Sequence, residues 1–252
     1  MTVEQLAKEL DKIIPPELSE PWDNDGRMVI PDKNAEVTKV LCALECTSVS
    51  IAIAKRLGCN VILTHHPLIF KPLNSLSESD CVGKRVLECV KSGISVLSYH
   101  TRLDILSGGV NDMLAEMLGI KNTDAFVPYG RVGEVEEQSF ESFVNTVKTA
   151  LEVPESELRL VKANEKVSRV AVISGCGKDE IRDAIASGAD TFVTGEVMHS
   201  HMVECKEWGI SLICATHYAT ERFIARKLAD IVGKLGLKHD IYEFVKEEEY
   251  GI

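Results

Sequence analysis

The chain has 252 residues, of which 45% are hydrophobic and 27% are charged, and its formal net charge is −11. This length and composition are typical of a soluble globular protein with one large or two modest domains. The acidic balance and the lack of a basic run argue against a nucleic-acid partner, which normally requires a basic surface. No apolar run approaches the roughly 20 residues that a membrane-spanning helix needs, so we expect no membrane association.

Cysteine usage and the amino terminus indicate the compartment. Eight cysteines are present, but no Cys-x-x-Cys pair occurs and most of them fall within apolar strand or helix patterns. Reduced, buried thiols are therefore expected, as in a reducing cytosol. The amino terminus lacks the basic region and long apolar stretch of a signal peptide. These features predict a cytoplasmic location.

Local signals predict the first elements of the chain. Thr2 and Gln5 form a capping box for a helix that ends before Pro15. A turn-rich loop at 21–26 carries Trp22, for which a plug in a small core is favoured over a stacking surface for a ligand. The next predicted elements are a strand at 37–44, a helix at 48–57 and a strand at 61–63.

A segment rich in turn formers and acidic residues, 126–139, predicts a boundary between two lobes. We therefore expect one α/β lobe at 1–126 and a second at 127–252. After the boundary, the predicted elements are a helix at 140–151, a strand at 158–161, a helix at 223–235 and a strand at 241–245. The last strand could pack on either lobe.

A gap-free internal repeat relates the two halves of the chain. Seven residues recur at a constant separation, and glycine, cysteine and threonine are among them. The matched pairs are Val37 and Val167, Val40 and Val170, Cys46 and Cys176, Ile51 and Ile181, Ala54 and Ala184, Gly58 and Gly188, and Thr64 and Thr194. Each repeat runs strand, helix, strand, helix, strand. The duplication therefore predicts two related three-layer α/β/α lobes with mostly parallel sheets.

Histidines collect at the predicted carboxyl ends of strands. His65 and His66 follow the strand at 61–63, and Pro67 prevents a helix from running through that point. Open α/β sheets bind ligands at these ends, and imidazole is a common transition-metal ligand. Taken alone, the pair fits two interpretations equally well. One is a metal site, and the other is a helix cap next to an ordinary loop residue. The clustering favours a metal site, because six of the seven histidines lie at or just beyond strand ends: His65, His66, His100, His199, His201 and His217.

Two carboxylates accompany these histidines. Glu221 lies four residues after His217, a spacing that places both side chains on one helix face. Asp104 lies four residues after His100. A carboxylate can bridge two cations, so histidine and carboxylate from both lobes would make a mixed nitrogen and oxygen site for two metals.

Motifs along nearly the whole chain, in the correct order, resemble those of the NGG-interacting-factor-like family, whose members are often labelled GTP cyclohydrolase type 2 homologues. The motifs are Trp22-Asp23-Asn24-x-Gly26, Thr64-His65-His66-Pro67-Leu68-Ile69-Phe70, His100-Thr101-x-Leu103-Asp104, Gly108-Gly109-Val110-Asn111-Asp112, Thr194-Gly195-Glu196-x-x-His199 and His217-Tyr218-Ala219-Thr220-Glu221. The chain is similar to the short form of the family, which lacks a domain that longer members insert between the lobes.

The resemblance implies a dinuclear site for two divalent metal ions in the cleft between two α/β lobes, and a toroidal homohexamer. The implied metal ligands are His65, His66, Asp104, His217 and Glu221, with Glu221 as the bridge. His100 and Glu196 match further motif positions, where a supporting or acid/base role would suit them.

Six positions depart from residues frequent in the family, whereas all five implied ligand positions are kept. The departing residues are Arg27, Met28, Glu45, Arg102, Ser200 and Thr216. We interpret these changes as bearing on the substrate rather than on metal binding.

The leading functional hypothesis is a metal-dependent hydrolase of a small molecule, in which two metal ions activate a water molecule. The family label suggests a nucleotide or a purine ring, but no Gly-x-x-x-x-Gly-Lys loop is present. The alternative is a ring-shaped metal-binding or regulatory scaffold without turnover, and a third hypothesis gives the histidines a purely structural role. Histidine and carboxylate ligands suit Zn, Fe, Mn, Ni and Co alike, so the metal identity stays open.

Overall fold

A computed structural model describes residues 1–243 and residue 249. The helices of this part of the chain are α1 (Val3–Ile13), α2 (Ser48–Leu57), α3 (Cys81–Ser92), α4 (Thr101–Ile105), α5 (Val110–Met117), α6 (Phe140–Leu151), α7 (Ile181–Ala186), α8 (His199–Trp208), α9 (His217–Glu221) and α10 (Ile224–Lys234). The strands are β1 (Gly26–Val29), β2 (Val40–Ala43), β3 (Val61–Thr64), β4 (Ser95–Ser98), β5 (Lys121–Val127), β6 (Gly130–Ser139), β7 (Arg159–Val161), β8 (Lys166–Ile173), β9 (Thr191–Thr194), β10 (Ser211–Cys214) and β11 (His239–Tyr242). Among the described residues, none of these helices is long and apolar enough to cross a bilayer.

Side-chain caps fix where several helices begin and end. The predicted capping box at the start of α1 is confirmed, since Thr2 Oγ1 accepts the N–H of Gln5 at 3.2 Å and Gln5 Oε1 accepts that of Thr2 at 2.8 Å. Thr47 and Ser50 cap α2 in the same reciprocal way. Helix α2 ends at Gly58, whose φ of 70° lies in the left-handed region that favours glycine. The predicted helix at 48–57 is therefore confirmed at both ends.

The chain divides into two compact units, and the first unit comprises residues up to Leu103 together with the segment from Ile224 onward. Its sheet has the strand order β1-β4-β3-β2-β11, in which only the β1–β4 pair is antiparallel. Every residue of β2, β3 and β4 is buried, so both faces of the sheet are covered, as parallel sheets require. Leu41, Ile62 and Val96 belong to one core cluster with residues of α2 and α3.

The second unit, residues 104–223, has a mixed sheet with the order β5-β6-β8-β9-β10-β7. Its centre, β8-β9-β10, is parallel, whereas β5, β6 and β7 add three antiparallel pairs at the two sides. The expectation of mostly parallel sheets therefore holds for the first unit and not for the second. The added strands belong to a hairpin and to an edge, where antiparallel pairing needs no crossover helix.

The hairpin β5–β6 occupies the segment that the sequence predicts to be a boundary loop. Pro128 does lie in the turn, but Gly133 lies within β6 because the carbonyl of Lys121 approaches too closely to leave room for a Cβ atom. Gly133 therefore permits close contact between two strands and does not mark a turn, as its residue type alone would indicate.

Pairing in the two sheets confirms the internal repeat. Val40 lies opposite Val61 in the first sheet, and the matched residues Val170 and Thr191 lie opposite each other in the second. The third strand of each repeat continues this agreement, since Ser95 pairs with Val61 and Ser211 pairs with Thr191. The two units are thus related α/β lobes built on the same three parallel strands.

The limits of the units differ from the expected division at 126 and 127. The hairpin β5–β6 pairs with β8 and so belongs to the second unit, whose first residue is Asp104, inside α4. Strand β11 pairs with β2, which places the carboxyl-terminal segment in the first unit. The predicted strand at 241–245 overlaps β11, although Val245 lies outside the described residues.

Candidate metal centre

The backbone at the end of β3 is held in a tight turn that presents His65 and His66. Both backbone N–H groups donate to the carbonyl of Leu44, at 3.1 and 2.9 Å. Thr64 Oγ1 lies 2.8 Å from the carbonyl oxygen of His66 and 2.8 Å from Ser98 Oγ. These contacts tie the carboxyl ends of β2, β3 and β4 together, which is where parallel sheets place their sites.

The tautomer of His65 follows from its hydrogen bond. His65 is fully buried, and its Nδ1 lies 3.1 Å from the carbonyl oxygen of Tyr99. A carbonyl only accepts, so Nδ1 carries the proton and the lone pair of Nε2 is directed elsewhere. This is the arrangement by which a second hydrogen bond orients a metal-binding imidazole. The half-buried His66 lies beside it, with ring centroids 5.2 Å apart.

His100 is oriented by a buried carboxylate. Its Nδ1 lies 2.9 Å from Asp23 Oδ1, and Asp23 Oδ2 accepts the hydroxyl of Thr101 at 2.7 Å and its N–H at 3.1 Å. Burial alone would raise the pKa of Asp23, but the hydrogen bonds from His100 and Thr101 outweigh it and lower that pKa to about 2. The sequence singled out both Asp23 and His100, but no local signal joins residues so far apart.

The rings of His65, His66 and His100 form a cluster of possible metal ligands within the first unit. The centroid of the His65 ring is 5.2 Å from those of His66 and His100, and the latter two centroids are 6.0 Å apart. Asp104 belongs to α4, the short helix that directly follows His100. Two imidazoles and a carboxylate are the donor set that Zn, Fe, Mn, Ni and Co share. The chemistry of the residues therefore fits a divalent transition metal.

In the second unit, His217 lies between two carboxylates. Its Nε2 is 2.9 Å from Glu221 Oε2, and its Nδ1 is 3.5 Å from Glu196 Oε2. Burial alone would lower the pKa of His217, but the two carboxylates raise it to about 9. Glu221 is itself buried, and Gly175 leaves no room for a Cβ atom beside its carboxylate. A cation that binds here would have to replace the proton of His217.

Thr216 is one of the six positions that depart from the family pattern. Its φ of 66° and ψ of 147° lie in a region that is normally restricted to glycine. The family resemblance implies glycine as the frequent residue at this position, and the backbone here has a conformation that suits glycine. The threonine hydroxyl gains a function, since it accepts the N–H of Ala219 at 3.3 Å and caps α9, the helix that carries His217 and Glu221.

Two further departures form a partly buried network of ion pairs in the first unit. Arg102 lies 3.0 Å from Asp11 and 2.6 Å from Asp25, and Arg27 lies 3.1 Å from Asp11. Both arginines share one carboxylate, so the two changes from the family pattern support each other. The network joins Arg102 of α4 and Arg27 of β1 to Asp11 of α1 and includes none of the implied ligands.

A cavity of about 420 Å³ with a mixed polar and apolar lining adjoins His217 in the second unit. Its lining includes Arg159, Lys178, Glu196 and the exposed Cys176. Arg159 and Lys178 stand in no motif, so the sequence alone predicts no role for them. The cavity is large enough for a small charged molecule next to the candidate ligand His217.

The structure also bears on the remaining histidines, on Trp22 and on the cysteines. His199 and His201 lie on α8, outside the groups of possible metal ligands found among the described residues; His199 is exposed, and His201 Nδ1 accepts the N–H of Met198 at 3.2 Å. Trp22 is 60% exposed and is not a core plug, because its loop holds the ring outward. The expectation of mostly buried cysteines is confirmed, since six of the eight are buried.

Comparison with known proteins places this site in a family. The sequence profile of Duf34/NIF3 (NGG1p interacting factor 3) matches residues 1–247. A Clostridium perfringens protein named GTP cyclohydrolase 1 type 2 homolog is 32% identical over 99% of this chain and 97% of its own. Reduced HcgD from Methanocaldococcus jannaschii superposes with a TM-score of 0.84 at 29% identity, covering 97% of this chain and 98% of that chain. A Bacillus cereus protein related to NIF3 superposes with a TM-score of 0.88 at 21% identity and 97% coverage of both chains. The chain belongs to the Duf34/NIF3 family.

Proposed function

We propose that this protein is a metal-dependent hydrolase that holds two divalent metal ions through His65, His66, Asp104, His217 and Glu221. The observation that carries the proposal is the pair of adjacent histidines at the end of β3, His65 and His66, whose ring centroids lie 5.2 Å apart at the edge where parallel sheets bind ligands. The name of the Clostridium perfringens relative supports a cyclohydrolase-like reaction on a small heterocyclic molecule. When bound, the two ions would supply Lewis acidity, which acidifies a water molecule and polarises the bond it attacks.

The chain's own residues have distinct parts in this reaction. His65 is fixed by its bond to the Tyr99 carbonyl, so its Nε2 would be the atom that holds a metal ion. Glu221 would hold metal through its carboxylate. His100 has Nδ1 fixed by Asp23, which leaves Nε2 to take up or release a proton. Glu196 borders the cavity and lies near His217, where it can hold a proton or orient that ring.

His100 has two possible roles, as a metal ligand or as a proton carrier, and one variant separates them. We assign it the proton-carrying role because Asp23 already fixes its orientation. His100→Ala should then abolish turnover and leave the metal content unchanged. Loss of metal from this variant would instead make His100 a ligand.

Elemental analysis of protein purified without chelators tests the metal centre itself. We expect about two transition-metal ions per chain in the parent protein. His65→Ala and Glu221→Ala should each lose metal, because they remove a buried nitrogen and a buried oxygen donor. His199→Ala is the matched control, since this histidine is exposed on α8, and it should keep the parent metal content. Metal-free parent protein would overturn the proposal.

Turnover and assembly form the second part of the proposal. Hydrolysis is to be screened on nucleotides, phosphodiesters and amides with metal-loaded protein. A metal-loaded protein that hydrolyses none of these would favour the alternative, a metal-binding scaffold without turnover.

We also propose a homohexameric ring, which rests on family resemblance and would have six times the chain mass of 27.8 kDa.

A further inference from the structure

Three aromatic rings meet at right angles beside the candidate metal centre. The ring centroids of Trp22 and Phe70 are 6.2 Å apart, and both lie about 6 Å from that of His100, at 6.3 and 6.0 Å. The three interplanar angles are 77°, 83° and 86°. The rings therefore stand like the three faces of a box corner, and all of them belong to the first unit.

This aromatic corner, formed by Trp22, Phe70 and His100, is open to solvent. Trp22 is 60% exposed and Phe70 is 45% exposed. Leaving two large apolar side chains in water forgoes the stabilisation that their burial would give. A neighbouring pair of exposed aromatic residues is a common mark of a binding site.

The backbone that carries the corner is held in place. The side-chain amide of Asn24 donates to the carbonyl of Ile69 and so joins the two loops that bear Trp22 and Phe70. Asp23 accepts three hydrogen bonds, from His100 and from the backbone and hydroxyl of Thr101. The exposure of Trp22 is thus not the result of a loose loop, because the residues on its carboxyl side are anchored at several points.

We propose that the aromatic corner binds a planar heteroaromatic ring of the substrate and presents it to His100. A flat ring that stacks on one wall meets the other two walls edge to face, and both arrangements are favoured between aromatic rings. A saturated sugar or a peptide backbone has no aromatic face that could enter both arrangements. The inference rests on the proposed function, since it places the ring of that substrate beside the group that moves a proton.

Tryptophan fluorescence offers a direct test, because the chain has only two tryptophans. In a Trp208→Phe variant, Trp22 is the sole reporter. We expect inosine and uridine, which carry planar bases, to quench its emission saturably, whereas ribose should have no effect. Phe70→Ala in the same background should weaken inosine binding about 10-fold or more, the equivalent of losing one stacking partner.

Three controls establish whether the quenching reports the stacking of a planar ring. Leu76→Ala removes another exposed apolar side chain and should leave inosine affinity unchanged. Equal quenching by tetramethylammonium would show a cation site and overturn the proposal. A change in native mass in Phe70→Ala would show an interface between copies of the chain and would also overturn it.

The result is independent of the metal centre, because binding is measured without turnover and metal content is measured on the same samples. Saturable inosine quenching in protein without metal would support the aromatic corner while the hydrolase proposal fails. Metal-loaded, active protein that neither nucleoside quenches would overturn the aromatic corner alone.

Discussion

At the residue scale, Asp23 connects features that look separate in the sequence. It lies beside Trp22 in a turn-rich loop, yet its carboxylate holds the ring of His100 and the first residue of α4. The orientation of a candidate proton carrier therefore depends on a loop that contributes no metal ligand. Such long-range polar contacts are fixed by the folded sheet and leave no periodic signal in the sequence.

The lowered pKa of Asp23 predicts how acid affects stability. Its folded pKa is about 2, below the usual 3.8, so its ionised form is stabilised by folding. This contribution is complete above about pH 4 and is lost as the pH falls towards 2. Asp23→Asn should lose about 2 kcal/mol of the free energy of unfolding at pH 7, and its stability should fall less steeply below pH 4.

Urea unfolding at pH 7, 4 and 3 measures this effect in the parent protein and in Asp23→Asn. Asp230→Asn changes an exposed carboxylate on α10, so it should stay within about 0.5 kcal/mol of the parent at each pH. If the parent and Asp23→Asn lose stability in parallel between pH 4 and 3, Asp23 does not have the lowered pKa.

At the element scale, Thr216 makes two opposing contributions to α9. The backbone is strained, because threonine adopts a conformation that glycine tolerates better. The hydroxyl stabilises the helix by capping the N–H of Ala219. The balance of these two effects sets how firmly His217 and Glu221 are positioned.

Two substitutions separate strain from capping. Thr216→Ala keeps the strained backbone and loses the cap, so it should lower the free energy of unfolding by about 1 kcal/mol. Thr216→Gly also loses the cap but relieves the strain, so it should exceed the alanine variant by about 1 kcal/mol or more. Urea midpoints give both values. A glycine variant no more stable than the alanine variant would show that position 216 is unstrained.

The elements with local signals are those that sequence analysis predicted best. Helix α2 follows from its capping residues and Gly58, and the repeated strands follow from a constant spacing that the pairing reproduces. The hairpin β5–β6 was missed because β5 is exposed along most of its length and so lacks an alternating apolar pattern. Gly133 added a misleading turn signal, although it lies within β6.

The candidate site was predictable to the extent that its residues stand at strand ends. The positions of His65, His66 and His100 follow from the ends of β3 and β4, because parallel strands bring these ends to one edge. The same rule also draws attention to His199 and His201, which belong to the helix after β9 and are not among the implied ligands.

At the scale of the whole molecule, the two units differ in continuity. The second unit is a single segment, residues 104–223, with a core that includes Ile173, Phe192 and Leu212. The first unit needs two separate segments, because α10 contacts β2 and β3 and because β11 pairs with β2. The carboxyl-terminal segment is therefore part of the first core and not an appendage of the second.

This difference predicts how fragments of the chain behave. Residues 104–223 expressed alone should unfold cooperatively in urea, since their sheet and core are contained in one segment. Residues 1–103 alone should not, because they lack α10, whose Ile224, Leu228 and Val232 are fully buried. Burial of these three side chains contributes about 5 kcal/mol, a large part of the stability of an ordinary domain.

Joining 1–103 to 224–252 through a Gly-Ser linker is the matched control, and it should restore a cooperative transition. Circular dichroism during urea titration follows all three fragments. If residues 1–103 alone unfold at the same urea concentration as the joined fragment, α10 and β11 contribute nothing to the first core.

The joined fragment also separates the metal ligands of the two units. Because His65, His66 and His100 all lie in the first unit, a joined fragment that folds should keep the hydrogen bonds that orient His65 and His100, while lacking Asp104, His217 and Glu221. We therefore expect the joined fragment to bind divalent metal far more weakly than the full chain.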